Sequence, residues 1–487
     1  MATAALDCPV ARKGDDSDCR MLKSFSISII LTLREHGHQA YLVGGCVRDL
    51  LLGREPADYD VATSATPDEV MRIFPEAYGV GAQFGVVLVP TSSVFSVPSV
   101  VKGATTEDTE EHRGTKSGCI EVATFRSDIG YSDGRHPDEV RFTNNPEQDV
   151  RRRDFTINGM MLDPLMENPL ENGVLDFVGG RRDLEARIIR AIGEPEHRFG
   201  EDKLRMLRAV RFAARFNYTI EPVTSHAIQE LAPQIHQVSR ERVRDELTRM
   251  LTEGHARRAF LLLDETGLLK EVLPEVAAMK GVEQPAEFHP EGDVFVHTLL
   301  MLEKLPHPCP ATLAWGVLLH DVGKPPTFRR APDRIRFDDH VNVGVKMAEE
   351  ICRRLRFSND DTEQILALVD NHMRFAHATR MSESTFKKFV RMPHFDEHLE
   401  LHKLDCLGSH GNLASYNFTR EKMSALPEAE IRPRPLLTGD DLIAAGYAPG
   451  PRFKEILSAV EDAQLDGRLE SRESAMDLVR QRFPLEA

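Results

Sequence analysis

Between residues 21 and 180, short apolar runs alternate with stretches of helical period, the pattern of a sheet layered with helices rather than of a bundle. Residues 40–44, 59–63, 86–89 and 120–126 read as strands. Between the last two, residues 91–118 are rich in Ser, Thr, Gly and charge and read as an exposed insertion. Beyond about residue 181 the strand signals fade. Amphipathic patterns such as 239–251 and 294–302 take over, and the remainder reads as all helical. Proline-containing stretches near 284–290 and 424–436 are candidate boundaries. The pattern therefore predicts an α+β chain with a disordered N-terminus at 1–20 and a head at 21–180 carrying the insertion. A helical neck at 181–280, a helical domain at 281–415 and a helical tail at 416–487 follow.

Composition changes this picture little. With 487 residues, 41% hydrophobic and 28% charged, the chain can bury several cores. Its seven cysteines are scattered, form no C-x-x-C pair and suit a reducing compartment. Neither a signal-length apolar segment nor a membrane-spanning run is seen, so a cytoplasmic protein with no membrane partner is expected. A formal net charge of −16 argues against a general polyanion binder. The arginines are nonetheless clustered at 151–153, at 181–182 and at Arg205, Arg208, Arg211 and Arg215, which confines any RNA groove to residues 140–255. At 100° per residue these last four share one helix face, available for anions, opposite Leu204, Leu207, Val210 and Ala214.

The stretch AYLVGGCVRDLLLGREPADYDVAT, residues 40–63, carries the most chemistry. A strand runs into Gly44-Gly45 and then a helical segment with Arg48, so backbone N–H groups and a cation can face a triphosphate. Taken alone, a Gly-Gly turn is as often purely steric. Asp58 and Asp60 stand two apart in an apparent strand and so share a face, a pairing that a cation such as Mg²⁺ stabilises. A lone D-x-D is more often a solvated strand end. In combination, G-G-x-V-R-D, L-L-G and D-x-D-x-x-T resemble the head of the class II nucleotidyltransferases, the tRNA CCA-adding enzymes and bacterial poly(A) polymerases.

That resemblance implies a head with a mixed five-stranded sheet, catalytic Asp58 and Asp60 holding Mg²⁺, and nucleotide contacts from Gly44, Gly45 and Arg48. Residues 121–142 are similar to the family's strand and flexible loop, with Arg126 toward nucleotide. Glu121 is either a third metal-proximal carboxylate or a solvent-facing edge residue. Residues 151–158, RRRDFTIN, resemble the element whose Arg153, Asp154 and Asn158 meet ribose and phosphates. The Glu-Asp-x-x-Arg stretch from Glu201 resembles a protein template, in which Asp202 and Arg205 read the base and Arg208 stands beside them. The activity implied is addition of CTP- or ATP-derived nucleotides to the 3′ end of tRNA, as CCA, CC or A. Polyadenylation is the alternative. The segment GVGAQFGVVLV lacks the arginine pair associated with poly(A) polymerases, and the loop YSDGRHPDEV leans toward adding the terminal A.

Downstream, His297, His320-Asp321, His340, His372 and Asp405 recur at helical intervals and resemble the HD phosphohydrolase superfamily. The resemblance implies a second divalent metal there and a phosphohydrolase activity. A helical body with a degraded site is the plain alternative. A chain that is chiefly an HD hydrolase with an RNA-gripping head is the rival from another class.

Overall fold

The computed structural model describes residues 15–80, 84–91, 118–131 and 137–485. Most of the expected insertion, residues 92–117, lies outside the described residues, as do residues 1–14 and 132–136 of the expected flexible loop. The chain forms two compact units: Met1–Ser239 with Glu265–Leu268, and Arg240–Asp264 with Leu269–Ala487.

In the first unit, helix α1 (Asp15–Glu35) begins inside the stretch expected to be disordered and buries Ile29, Ile30 and Leu33. Up to residue 176 the described residues form nine strands: β1 (Ala40–Val43), β2 (Asp60–Thr63), β3 (Tyr78–Gly79), β4 (Val86–Pro90), β5 (Cys119–Thr124), β6 (Arg126–Ile129), β7 (Glu139–Phe142), β8 (Met160–Leu162) and β9 (Val174–Asp176). Seven of them make one mixed sheet in the order β3-β4-β5-β2-β1-β8-β9, where β2 and β5 are parallel. The expected five-stranded sheet is thus corrected to seven. Three of the strand patterns read from sequence lie in this sheet, and the fourth, 120–126, covers β5 and the first residue of β6, which pairs with β7 in a separate sheet. Strands β3, β8 and β9 are too short, at two or three residues, to show a period of two.

Helix α2 (Gly45–Leu51) follows β1 through Gly44, whose φ of 75° and ψ of −133° suit only glycine. The stretch beyond 181 is not wholly helical. Ile188–Ile189 pairs with Thr219–Ile220 in the first unit, and Phe328–Arg330 pairs with Ile335–Phe337 in the second. These strands are again too brief for their period to register, and the second pair turns on Ala331-Pro332-Asp333-Arg334.

In the second unit, helices Val294–Glu303, Ala311–Leu319, His340–Arg354, Asn359–Asn371 and Phe395–Gly408 pack around a core including Trp315, Ile351 and Leu368. The last helices close a smaller core around Leu442, Ile456, Val460 and Val479. No described helix is long and apolar enough to cross a membrane.

Candidate active site and metal centre

The turn at Gly44 organises the head. A Cβ added there would lie 3.4 Å from Arg153 Nη1 and 3.9 Å from Asp60 Oδ2, so the missing side chain leaves an arginine and a carboxylate facing across open backbone. Asp60 opens β2, paired with Val43 on one side and Glu121 on the other. Because β5 lies between β4 and β2, Glu121 is not on an edge strand, and register places it beside Asp60. Asp58 is exposed and precedes the strand, which starts at Asp60 rather than Tyr59. Tyr59 is instead buried, with its hydroxyl donating to Glu55 at 3.0 Å. The buried Cys46 thiol, in α2, is pushed up to about 12 by burial and then by the charges of Asp60 and Asp58.

Around this turn, several expected nucleotide contacts form one hydrogen-bonded chain. Arg208 donates to Asp154 Oδ2 from Nε (3.0 Å) and Nη2 (2.7 Å), and Asn158 donates to Asp154 Oδ1 (3.2 Å). Arg48 Nη1 donates to Asn158 Oδ1 (2.7 Å) and its Nε to Asp49 (2.8 Å). Arg48 is only 4% exposed and lies 4.5 Å from the Phe216 ring centroid. Arg48, expected toward nucleotide, is thus a desolvated guanidinium whose partners brace the turn.

A second set of pairs fixes the arginine run. Asp149, which sequence reading missed, binds Arg152 (2.7 Å) and Arg153 (2.9 Å) and accepts from the Arg126 amide at 3.4 Å. The Arg126 guanidinium meets Asp128 at 3.1 Å and the Phe84 carbonyl. Glu201 joins Arg198 and Arg205, and Arg205 also donates to the carbonyls of Arg198 (3.0 Å) and Arg152 (3.2 Å). Asp202 lies in extended backbone at the junction of helices Pro195–Glu201 and Leu204–Phe216 and accepts from the Leu204 amide at 3.0 Å. The expected anion-facing arginine stripe is not an open face. Arg211 is 5% exposed, and Phe212 packs edge-on against Phe155 with Arg208 and Arg211 over its ring. Buried positions run almost all round this helix, because it is enclosed by the rest of its unit.

Burial alone would raise the carboxyls of Asp149 and Asp154, but Arg152 and Arg153 beside the first and Arg208 beside the second outweigh it, leaving each at about 2. A depressed carboxyl stabilises the fold fully above its unfolded value of about 4, and the contribution is lost as pH falls toward 2. Each should be worth about 2 kcal/mol at neutral pH. Unfolding monitored by circular dichroism across pH 5 to 2 should therefore show a steep loss of stability that Asp149→Asn reduces. A flat profile would contradict it.

The second unit carries the other constellation. His320 and His372 each follow the last residue of a helix, where carbonyls lack helical N–H partners. Their Nδ1 atoms sit 2.8 and 2.7 Å from the carbonyls of Val317 and Val369, and His340 Nδ1 sits 2.9 Å from that of Phe337. Each ring thus donates from Nδ1 and turns a bare Nε2 inward. All three Nε2 atoms are buried without a hydrogen-bond partner and lie 3.1 to 4.0 Å from Asp321. Asp405 Oδ1 is 3.2 Å from His297 Nε2. Burial lowers His372 to about 4, whereas Asp405 and Glu291 overcome the burial of His297 and raise it to about 9. Orphaned imidazole nitrogens around a carboxylate fit a divalent metal of the borderline class.

All six residues expected at this centre are brought together, along with two that the sequence reading missed. His289 stands in the proline-containing stretch taken for a boundary and Glu291 directly after it. The signal was the proximity of H-P-E to His297, which carries no periodicity.

The chain matches a poly A polymerase head domain over residues 40–190, the probable RNA and SrmB-binding site of polymerase A over 217–280, and the HD domain over 294–405. It is 42% identical to the CCA-adding enzyme of Geobacillus stearothermophilus over 244 residues, 50% of this chain and 53% of that one. It thus spans about half the length of that curated relative. With the A-adding tRNA nucleotidyltransferase of Deinococcus radiodurans it shares 32% identity over 461 residues, 91% of this chain and 95% of the other. Among solved structures it is similar to the Bacillus stearothermophilus CCA-adding enzyme in complex with CTP, at a TM-score of 0.67 and 27% identity. That likeness covers 94% of this chain and 97% of that one.

Proposed function

Because the chain belongs to the tRNA nucleotidyltransferase and poly(A) polymerase family, we propose that it extends the 3′ end of tRNA, adding at least the terminal adenosine from ATP. The observation that carries this reading is the placement of Asp60 beside Glu121 on adjacent parallel strands, facing Arg153 across Gly44. In the reaction the tRNA 3′-oxygen bonds to the α-phosphorus as the bond to the bridging oxygen of pyrophosphate breaks, and the hydroxyl proton passes to solvent. Asp58 and Asp60 would hold Mg²⁺, which supplies positive charge to the triphosphate and the leaving pyrophosphate. Arg153, kept in place by Asp149, presents a cation at the turn, which the hydrogen-bonded chain from Arg208 to Arg48 braces. Asp202 and Arg205 are the pair assigned to the incoming base.

Addition of the terminal A is common to the names of both relatives, and the experiment separates the remaining options. Transcripts ending before CCA, after C and after CC are each given one labelled nucleotide. ATP should be incorporated once on the transcript ending in CC, and CTP incorporation on the shorter two distinguishes full CCA addition from A addition. Unlimited adenylate tails on any RNA would identify a poly(A) polymerase, and no incorporation at all would sink the reading.

The second unit supports an additional phosphohydrolase, on the observation that three buried Nε2 atoms converge on Asp321. His297, His320, Asp321, His340, His372 and Asp405 would hold divalent metal, whose chemistry is to polarise a phosphate ester and activate water. Asp321→Asn should remove tightly bound metal, measured by elemental analysis, while nucleotide addition persists because the head carries its own carboxylates. Equal metal content in the variant would refute the centre.

A further inference from the structure

His297 departs from the arrangement of the other three histidines. His320, His340 and His372 each spend Nδ1 on a backbone carbonyl three residues upstream, which fixes the tautomer. His297 lies within helix Val294–Glu303, where such carbonyls serve the helix, and Val294's also accepts from the Thr298 hydroxyl at 3.0 Å. Instead, its Nδ1 is 2.8 Å from Glu291 Oε1, and its Nε2 faces Asp405. The same Glu291 oxygen lies 2.9 Å from His289 Nδ1, and the two imidazoles meet edge-on at 4.9 Å. A neutral imidazole donates from one nitrogen only. Both His297 nitrogens face carboxylates, and a metal that displaces the Nε2 proton leaves the one remaining proton on Nδ1, beside Glu291 Oε1.

The segment bearing Glu291 is held for this task. Its two ends are joined by the Glu283–Asp293 bridge, with Gln284 N donating to the Gly292 carbonyl (3.0 Å) and Val294 N to the Val282 carbonyl (3.0 Å). Gln284 also accepts from Lys324 Nζ at 2.6 Å, and the same nitrogen reaches Asp321 at 2.7 Å. The Glu291 side chain is 5% exposed, an expensive place for a carboxylate that does no more than sit there.

We propose that Glu291, braced by His289, is the positioning residue of the HD centre: it fixes the tautomer and plane of His297 so that Nε2 can ligate divalent metal. The proposal rests on reading that centre as a metal site. A carboxylate behind a metal-binding histidine raises its basicity and pre-orients it, and losing such a partner typically weakens metal binding about 10- to 100-fold.

The test uses the full chain, stripped of metal and titrated with Co²⁺ against a chelating dye, with the visible d–d spectrum recorded. Glu291→Met keeps the volume and removes the acceptor, and should bind Co²⁺ about 10- to 100-fold more weakly with an altered spectrum. Glu291→Gln retains an oxygen acceptor for His297 Nδ1–H and should restore both. Thermal midpoints in EDTA report whether each variant is folded, and Glu291→Ala serves if the Met variant is not. Wild-type affinity and spectrum in Glu291→Met and Glu291→Ala would overturn the proposal. So would a Gln variant as weak as the Met variant, since Glu291 would then act through its charge or as a ligand rather than by fixing the Nδ1 proton. If the wild-type chain takes up no Co²⁺, or His320→Ala binds it unchanged, the reading of the centre fails, and the proposal with it.

Discussion

Asp60→Asn should reduce nucleotide incorporation on the order of 10³-fold or more while leaving the protein folded. Asn matches Asp in volume, and the register with Val43 and Glu121 is made by backbone, so β2 has no reason to shift. What would be lost is the charge that, in the proposed reaction, holds Mg²⁺ near a triphosphate, and an amide oxygen is a much poorer ligand for a hard cation. The loss should appear in the single-turnover rate rather than in tRNA affinity. Asp58→Asn should behave alike, although Asp58 is exposed and outside the strand. A threefold loss is about 0.6 kcal/mol and a 10³-fold loss about 4, so the two outcomes are easily separated. Near-wild-type rates from both variants, with melting temperatures unchanged, would remove these residues from the chemistry.

The parts of the head that sequence made legible are those whose signals are local. Val86–Pro90 and Cys119–Thr124 are β-branched runs, and Asp60 stands at a turn-to-strand transition that glycines and a charge pair mark from both sides. What stayed hidden depends on distance in sequence. Nothing local says that Arg48 would be sealed beneath Asn158, 110 residues on, or that Arg208 would find Asp154. Helical periodicity placed Arg211 on a polar face, whereas tertiary enclosure buried it against Phe212. At the HD centre the candidate residues were legible because clustered histidines are rare. The supporting shell was not: a carbonyl at a helix end has no residue type, and Glu291 is an acidic residue in a proline-rich turn until its partner is seen.

Base choice should collapse when Asp202 or Arg205 is removed, more than it does for any other arginine of the same helix. Asp accepts from the amino group that cytosine and adenine share in kind, and Arg donates to their ring nitrogen or carbonyl, so UTP and GTP present mismatched edges. The geometry suits that role for Arg205. Three of its hydrogen bonds go to Glu201 and to the Arg198 and Arg152 carbonyls. A guanidinium fixed on one side keeps the direction of its remaining donors, which a flexible, strongly hydrated ammonium does not. Asp202, in extended backbone ahead of Leu204, is fixed by the N–H that its own carboxylate accepts. Losing one member of a base-reading pair should cost about 1 to 3 kcal/mol in the preferred nucleotides alone, so discrimination should fall roughly 10- to 100-fold. The measurement is single-turnover incorporation of each of the four nucleotides by Asp202→Ala, Arg205→Ala and Arg205→Lys, with Arg211→Ala as the structural comparison. Arg211 packs on Phe212, so its loss should lower stability and rate for all four nucleotides together. Should Asp202→Ala and Arg205→Ala keep the wild-type preference while rates fall uniformly, as for Arg211→Ala, the pair would be scaffolding for the Arg152 segment and base reading would have to lie elsewhere in the head.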